Sequence, residues 1–443
     1  MKNFKLLIIA LMALFCLTGC QFELPSPDKL IAPPASNEEK ISQKQNISKL
    51  LAAADSSLTL TVPDNMEDPS AYIVSDIDRD GKKEMLAFYT NADNTFEQGF
   101  VVIKEDESEK GTWFIDQQAS EIGNNIDYFR LFDLDNDGQE EILFGLNSWG
   151  SKYLYCYTQK DGQWESLARI QYDLLALNQT AKENQLVAAI GDVESNPATS
   201  QITVYTLRED DVIDKVYDDT IRGYCKDIVC GKFAPGRQGI GLAMQHNQYY
   251  TIALLLADEF GYHVELEEPL SYDYTNEPEL DIFRDVNNDG IQEICYLLPP
   301  EEDGGSHTLK DYLRVWYQWQ DSVGLQAVQA SFNSSQDGYE FQLPSQLIGR
   351  IEYRFSKSQG VEWTDVFLTG ENGGNMYKLF SIAAVDTYTW EQGSSLPKEQ
   401  ITVLGNNPNK KKVYIALLNQ ALPEEMPITE NQLIACLRIE GGK

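Results

Sequence analysis

Acidic residues recur at fixed spacing in three short segments, each flanked by apolar, β-rich sequence. In each segment oxygen-bearing side chains stand at alternate positions, a glycine follows, and a glutamate closes the segment at the ninth position. The three sets are Asp76, Asp78, Asp80 and Glu84; Asp133, Asp135, Asp137 and Glu141; and Asp285, Asn287, Asp289 and Glu293. Alternate residues of a tight turn direct their oxygens to one point, and Ca²⁺ takes roughly six to eight oxygen ligands. The spacing predicts three calcium loops.

The position of the closing glutamate excludes the helical EF-hand. An EF-hand loop carries its glutamate at position twelve, where this chain has Ala87, Phe144 and Tyr296. With strands on both sides, the loops resemble the FG-GAP and VCBS-type repeats of integrin-α-like β-propellers, which implies an all-β propeller with calcium-binding loops. A metal-free Asp-Gly hairpin is the competing interpretation of one copy, but three matching copies disfavour it.

Repetition along the chain predicts how the strands are organised. Loops or their degenerate equivalents recur every 40 to 59 residues, about the length of one four-stranded propeller blade. The degenerate copies at 191–196 and 231–235 lack the acidic pattern, so metal is doubtful at the first and none is assigned to the second. Because one blade cannot bury both faces of its sheet, we expect a closed ring of about six or seven blades.

The last hundred residues continue the β pattern without an acidic loop. We expect residues 339–443 to form the final blade or blades, with a strand near residues 58–62 completing the last one. The alternative is a small β-rich domain that ends in a helix near residues 430–438, which Thr429 would cap. Within the blades, Asp161-Gly162 is the clearest hairpin signal.

The first residues have the form of an export signal. Lys2 and Lys5 precede an apolar run, residues 6–17, that is too short to cross a membrane as a helix. The following Leu17-Thr18-Gly19-Cys20 resembles the lipobox of bacterial lipoproteins, which implies cleavage before Cys20 and lipid on its sulfur. An ordinary signal peptide that contains Cys20 is the alternative. Attached acyl chains would anchor the protein to the cell membrane, facing outside the cytoplasm.

These features divide the chain into four predicted regions. A signal peptide covers residues 1–19, and the lipidated Cys20 with a flexible tether covers residues 20–48. The tether is inferred because its prolines stand among polar residues that cannot bury a core. Propeller blades follow over residues 49–338, and the final blades or domain over residues 339–443.

The net charge limits the classes of expected partner, and the cysteine content bears on the disulfide state. The formal charge is −34, and loss of Lys2 and Lys5 with the signal would take it to −36. No basic footprint is present for a phosphate backbone, so nucleic acid is not an expected partner. Five cysteines lie beyond Cys20, and whether Cys225 and Cys230 form a disulfide is left open by the sequence.

Catalytic motifs are missing from the sequence. His246, His263 and His307 are scattered without metal-ligand spacing, and no Walker loop, dinucleotide fingerprint or nucleophile elbow occurs. We therefore expect no enzyme and no catalytic residue. The expected function is a calcium-stabilised surface lipoprotein that binds or scaffolds an unidentified surface protein or glycan. One alternative is an envelope enzyme that acts on glycan or peptide through a carboxylate pair, and another is a structural module of a larger assembly.

Overall fold

A computed structural model of the protein describes residues 37–439 except 67, 107, 181–182, 209, 247–248, 271–280, 301–311, 370–376, 393–395, 397 and 423–427. The predicted signal peptide and Cys20 therefore lie outside the described residues. Among the helices that are described, none has the length and apolar character needed to cross a membrane. The chain forms two compact units, with the boundary between Tyr128 and Phe129.

The first unit combines one helix with an antiparallel sheet. The helix spans Asn37–Ala54. The strands are β1 (Leu58–Leu60), β2 (Tyr72–Ser75), β3 (Glu84–Asn91), β4 (Glu97–Glu105) and β5 (Trp113–Ile122). They follow the order β1-β3-β4-β5, and β2 pairs with the first half of β3. The predicted strand near residues 58–62 thus belongs to this first sheet, where Leu58 pairs with Asn91, and not to the last one.

The helix corrects the predicted boundary of the tether. Residues 37–48 were assigned to the flexible segment 20–48, but they are helical. Ile47 and Leu51 are fully buried and share a core cluster with Leu58 and Tyr89. Gln43 also accepts a hydrogen bond from the Tyr72 hydroxyl at 2.9 Å. The folded part therefore begins before residue 49, because one face of a mostly polar segment is buried against the sheet.

Three four-stranded antiparallel sheets come next along the described chain, each with its strands in sequential order. The first contains β6 (Asn125–Phe132), β7 (Glu141–Ser148), β8 (Ser151–Lys160) and β9 (Gln163–Tyr172). The second contains β10 (Leu174–Gln179), β11 (Asn184–Asp192), β12 (Thr199–Leu207) and β13 (Ile213–Arg222). The third contains β14 (Tyr224–Ala234), β15 (Arg237–Gln245), β16 (Tyr250–Asp258) and β17 (Gly261–Pro269).

Burial varies systematically across these sheets. Strands such as β7 and β16 are buried on both faces, whereas the fourth strands β9, β13 and β17 are mostly exposed. Continuous apolar runs in the sequence mark strands of the first kind, because both of their faces are covered. The predicted hairpin is confirmed, since Asp161 and Gly162 have φ values of 51° and 78°, as a type I′ turn requires.

Two larger sheets follow. One contains β18 (Phe283–Arg284), β19 (Glu293–Leu298), β20 (Leu313–Gln320), β21 (Gly324–Ser334), β22 (Tyr339–Gln342) and β28 (Leu437–Ile439). The other has the order β23 (Ile351–Ser358), β24 (Val361–Leu368), β25 (Tyr377–Asp386), β27 (Lys412–Leu418) and β26 (Ile401–Asn407). Short helices span Thr387–Glu391 and Glu430–Cys436, and 3₁₀ turns span Ser345–Leu347 and Lys398–Gln400.

The C-terminal region differs from its predicted boundary. Strand β22 pairs with β21, so the division at residue 339 falls inside a sheet. The helix Glu430–Cys436 is present, and Thr429 caps it: the Thr429 hydroxyl accepts the Gln432 amide, and the Gln432 side chain accepts the Thr429 amide. This capping box is the helix start of the alternative interpretation, in which the chain ends in a helix near residues 430–438.

Shared cores join consecutive sheets within the second unit. Val187 of β11 lies in one cluster with Leu242 of β15, and Phe233 of β14 lies in another with Ile294 of β19. In both cases the two sheets share a buried core. The all-β class is confirmed as a series of antiparallel sheets, while the closed ring and its number of blades remain predictions. The described cysteines are all free thiols, including Cys225 and Cys230 on one strand.

Candidate metal centres

Each acidic loop occupies the same place in its sheet. The loops connect β2 to β3, β6 to β7 and β18 to β19, and the closing glutamate is the first residue of the second strand. The fourth loop residue has a left-handed backbone in every case, with φ of 61° at Arg79, 61° at Asn136 and 60° at Asn288. The sixth residue is a glycine, again with positive φ. The repeated sequence pattern therefore gives one repeated backbone conformation.

The hydrogen bonds inside the loops repeat as well. In the second loop, Glu141 accepts the Leu134 amide at 2.7 Å and Asp135 accepts the Asp137 amide at 3.1 Å. The first and third loops contain the same two bonds, Ile77 to Glu84, Asp80 to Asp78, Val286 to Glu293 and Asp289 to Asn287. The closing glutamates are 3 %, 1 % and 0 % exposed. Each loop thus wraps its backbone around a buried carboxylate.

Carboxylates converge in two of the loops. Oxygens of Asp76, Asp78 and Glu84 all lie within 4.8 Å of one another, and so do oxygens of Asp133, Asp135 and Glu141. Among the described residues, the third loop forms no such three-acid group, since Asn287 replaces one acid. The predicted ligands Asp80 and Asp137 are exposed and stand outside the two groups. Three of the four predicted carboxylates therefore meet in each of the first two loops.

Each of these two groups contains a buried oxygen that a cation could contact. Asp76 Oδ1 and Asp133 Oδ1 are shielded from solvent and have no hydrogen-bond partner. A buried polar atom without a partner is costly, and a bound cation supplies the missing interaction. Carboxylate oxygens suit hard cations such as Ca²⁺. The Asp76 and Asp133 groups would hold the ion, which would neutralise the clustered charge.

Burial and the closeness of other carboxylates shift the pKa values of the acidic residues in these loops. Burial raises the pKa of Glu141 to about 8; the Leu134 amide opposes the shift and the Asp135 charge adds to it. Burial likewise raises the pKa of Glu293 to about 7. At Asp78 burial favours the neutral acid, but the hydrogen bond from Lys104 and the nearby backbone amide outweigh it, so the pKa of Asp78 is lowered. A positive charge is already beside the first loop.

The residue opposite each closing glutamate was missed by sequence reasoning. These residues are Lys104, Thr158 and Gln318. Each lies on the neighbouring strand, one residue beyond the last residue that pairs with β3, β7 or β19. Thr158 donates to Glu141 at 3.2 Å, and Gln318 donates to Glu293 at 3.2 Å and to Asp289 at 2.8 Å. Lys104 instead contacts Asp78, at 2.7 Å. The loops therefore differ in charge at one equivalent position.

A polar cavity of about 500 Å³ adjoins the second loop. Its lining includes Arg130, Glu140, Asn178, Gln179 and Asn184, together with Asp133. Asn184 donates to the backbone carbonyl of Asp133 at 2.6 Å, so the loop and the cavity share a wall. Asn178 is 1 % exposed and donates to Tyr262 at 2.8 Å, while its Oδ1 has no partner. The lining offers both donors and acceptors.

Comparison with known proteins does not assign a family. No protein-family model matches the sequence, and no curated protein matches it. Among solved structures, the chain is similar to the exotype rhamnogalacturonan lyase YesX, with 13 % identity and a TM-score of 0.26 over 82 % of this chain and 72 % of that one. It is also similar to a protein from Lactobacillus plantarum, with 9 % identity and a TM-score of 0.29 over 65 % of this chain and 83 % of that one.

Proposed function

We propose that this protein is a calcium-stabilised β-propeller lipoprotein that binds or scaffolds a partner at the cell surface. The supporting observation is the convergence of three carboxylates in each of two loops, each group with one buried oxygen that lacks a partner. The cores shared by consecutive sheets support a propeller, in which each blade buries its faces against its neighbours. Both features are explained by a structural or binding role, without a catalysed reaction.

Calcium has a structural role in this proposal. The first loop precedes β3 and the second precedes β7, and both strands are buried for most of their length. An ion held by Asp133, Asp135 and Glu141 would tie the end of β6 to the start of β7. Because Asn184 bonds to the backbone of Asp133, fixing this loop would also fix one wall of the polar cavity. Ligand binding there should therefore depend on calcium.

The cavity lining favours a hydroxyl-rich ligand such as a glycan. Amide groups both donate to and accept from hydroxyls, whereas carboxylates accept from them and guanidinium groups donate to them. Asn178 Oδ1 is a buried acceptor without a partner. The second candidate function is an envelope enzyme that acts on glycan or peptide. It is favoured by one observation, namely that the acidic residues Asp133 and Glu140 both line this cavity, since a carboxylate pair can perform acid–base chemistry.

Binding without turnover is the expected result when the full chain is applied to glycan and peptide arrays in calcium. We expect chelation to reduce binding, and Gln179→Ala, at an exposed position in the lining, to weaken it about tenfold, because one lost hydrogen bond of about 1.4 kcal/mol corresponds to that factor. Gln163→Ala, exposed on β9, is the matched control. Turnover that Glu140→Gln abolishes would instead establish the enzyme.

Cys20 is the proposed attachment to the membrane, because the lipobox-like segment supplies the predicted anchor. We expect Cys20→Ser to move the protein out of the detergent-soluble membrane fraction or to leave its signal uncleaved. Fractionation with intact-mass measurement checks both results. A Cys20→Ser protein that stays equally membrane-bound, with the mass of an unlipidated processed chain, would show that the anchor lies elsewhere.

A further inference from the structure

Lys104 brings a positive charge to the first loop. Its ammonium lies 2.7 Å from Asp78 Oδ2 and 3.4 Å from Asp116. The other oxygen of Asp78, Oδ1, accepts the Asp80 amide at 3.2 Å. Both oxygens of this carboxylate are therefore engaged, one by an amide and one by a side-chain cation. Asp78 is one of the three acids that converge in this loop.

The second loop has the same arrangement of acids without the cation. Asp135 stands where the first loop has Asp78, and its Oδ1 likewise accepts an amide, from Asp137. Within the described residues, no donor contacts Asp135 Oδ2. The position of Lys104 is taken by Thr158, whose hydroxyl donates to Glu141. The two loops thus contain equal numbers of predicted carboxylate ligands, but only the first has an ammonium in contact with one of its three converging acids. The first loop is also more basic in sequence, since it contains Arg79, Lys82 and Lys83, and Lys82 lies 3.6 Å from the exposed Asp80.

We propose that Lys104 is a built-in competitor for the metal, so that the first loop binds Ca²⁺ more weakly than the second. A Ca²⁺ ion at Asp76, Asp78 and Glu84 must either displace the ammonium from Asp78 or bind beside it. Asp116 gives the displaced ammonium a carboxylate with which to stay paired. This inference rests on the proposed calcium role and assigns an order of affinity that the count of carboxylates does not contain.

Replacing Lys104 by a neutral side chain should therefore tighten the first site. Gln is the conservative choice, because Gln318 occupies the equivalent position in the third loop and is accommodated there beside Glu293. Repulsion between a divalent ion and an ammonium a few ångströms away is large even at the screening found near protein surfaces. We expect Lys104→Gln to lower the calcium concentration at half-saturation of the first loop by at least about tenfold.

Hydrogen–deuterium exchange of the full chain, titrated with free calcium, resolves the loops separately. Peptides covering residues 76–84 and 133–141 report the first and second loops. In the unmodified protein, protection of 133–141 should saturate at lower calcium than protection of 76–84. Lys104→Gln should shift the 76–84 midpoint alone. Thr158→Lys, the reciprocal change, should shift the 133–141 midpoint to higher calcium.

Lys49→Gln provides the matched control, since it removes the same charge from an exposed position on the N-terminal helix. It should leave both midpoints unchanged. An unchanged or raised 76–84 midpoint in Lys104→Gln, with 133–141 still responding to calcium, would overturn the competitor role and leave the proposed function intact. If neither segment responds to calcium in any variant, the proposed calcium role itself is wrong.

Discussion

Calcium removal should lower the melting temperature of the full chain, and Asp133→Ala should abolish more of the calcium-dependent increment than Asp285→Ala. Asp133 belongs to a converging three-acid group and has a buried oxygen without a partner. The loop of Asp285 contains the neutral Asn287, and affinity in such loops follows ligand charge. Binding to the native state alone contributes roughly 2.7 kcal/mol per site when free metal is a hundredfold above the dissociation constant.

Calorimetric melting of the unmodified protein and both variants, with calcium and with chelator, measures these increments. Glu165→Ala is the control for loss of an acid, because Glu165 is exposed on β9 and lies outside the loops. It should retain the full increment. Melting curves that ignore the chelator, or equal losses in the two loop variants, would contradict the expected order of the sites.

Leu51→Ala should lower the free energy of unfolding by about 2–5 kcal/mol, the usual range for a buried leucine. Leu51 is fully buried in a cluster with Ile47, Leu58 and Tyr89. The substitution removes apolar contacts and leaves a cavity between the N-terminal helix and the first sheet. Urea unfolding of the full chain measures the change.

Ile41→Ala, on the same helix, tests whether the destabilisation by Leu51→Ala comes from the loss of buried contacts or from weaker helix formation. Ile41 is 54 % exposed, so we expect its loss to change the free energy of unfolding by no more than about 0.5 kcal/mol. Similar small effects at positions 41 and 51 would mean that the helix does not pack on the sheet. A flexible tether through residue 48 would then be correct after all.

Local sequence patterns were sufficient to predict many of the strands, the Asp161-Gly162 hairpin and the acidic loops, because each of these depends on residues close together in the chain. The Asp161-Gly162 turn and the Thr429 cap are examples. The N-terminal helix was missed for a reason of composition. Residues 20–48 are rich in proline and polar residues on average, and this average conceals Ile47, which lies one helical turn before Leu51 on one face.

Lys104 was beyond sequence reasoning for a different reason. It lies twenty residues after the closing Glu84, whereas Thr158 lies seventeen and Gln318 twenty-five residues after theirs. These separations vary with the length of the intervening hairpin, so no fixed spacing marks the position. Only the strand register reveals that the three residues are equivalent. The order β25-β27-β26 was equally hidden, since it depends on long-range pairing.

The pairing of β28 with β22 has a consequence for self-association. Leu437–Ile439 pairs along Tyr339–Phe341 and is the three-residue edge strand of this sheet. A very short edge strand offers few unpaired amides and carbonyls to a strand from another molecule. The pairing also joins two segments that are distant in sequence. The sheet formed by the residues between them, β23 to β27, can therefore move away only if the pairing breaks. Loss of these three residues would expose the edge of β22, so proteolysis near them should favour self-association through strand pairing.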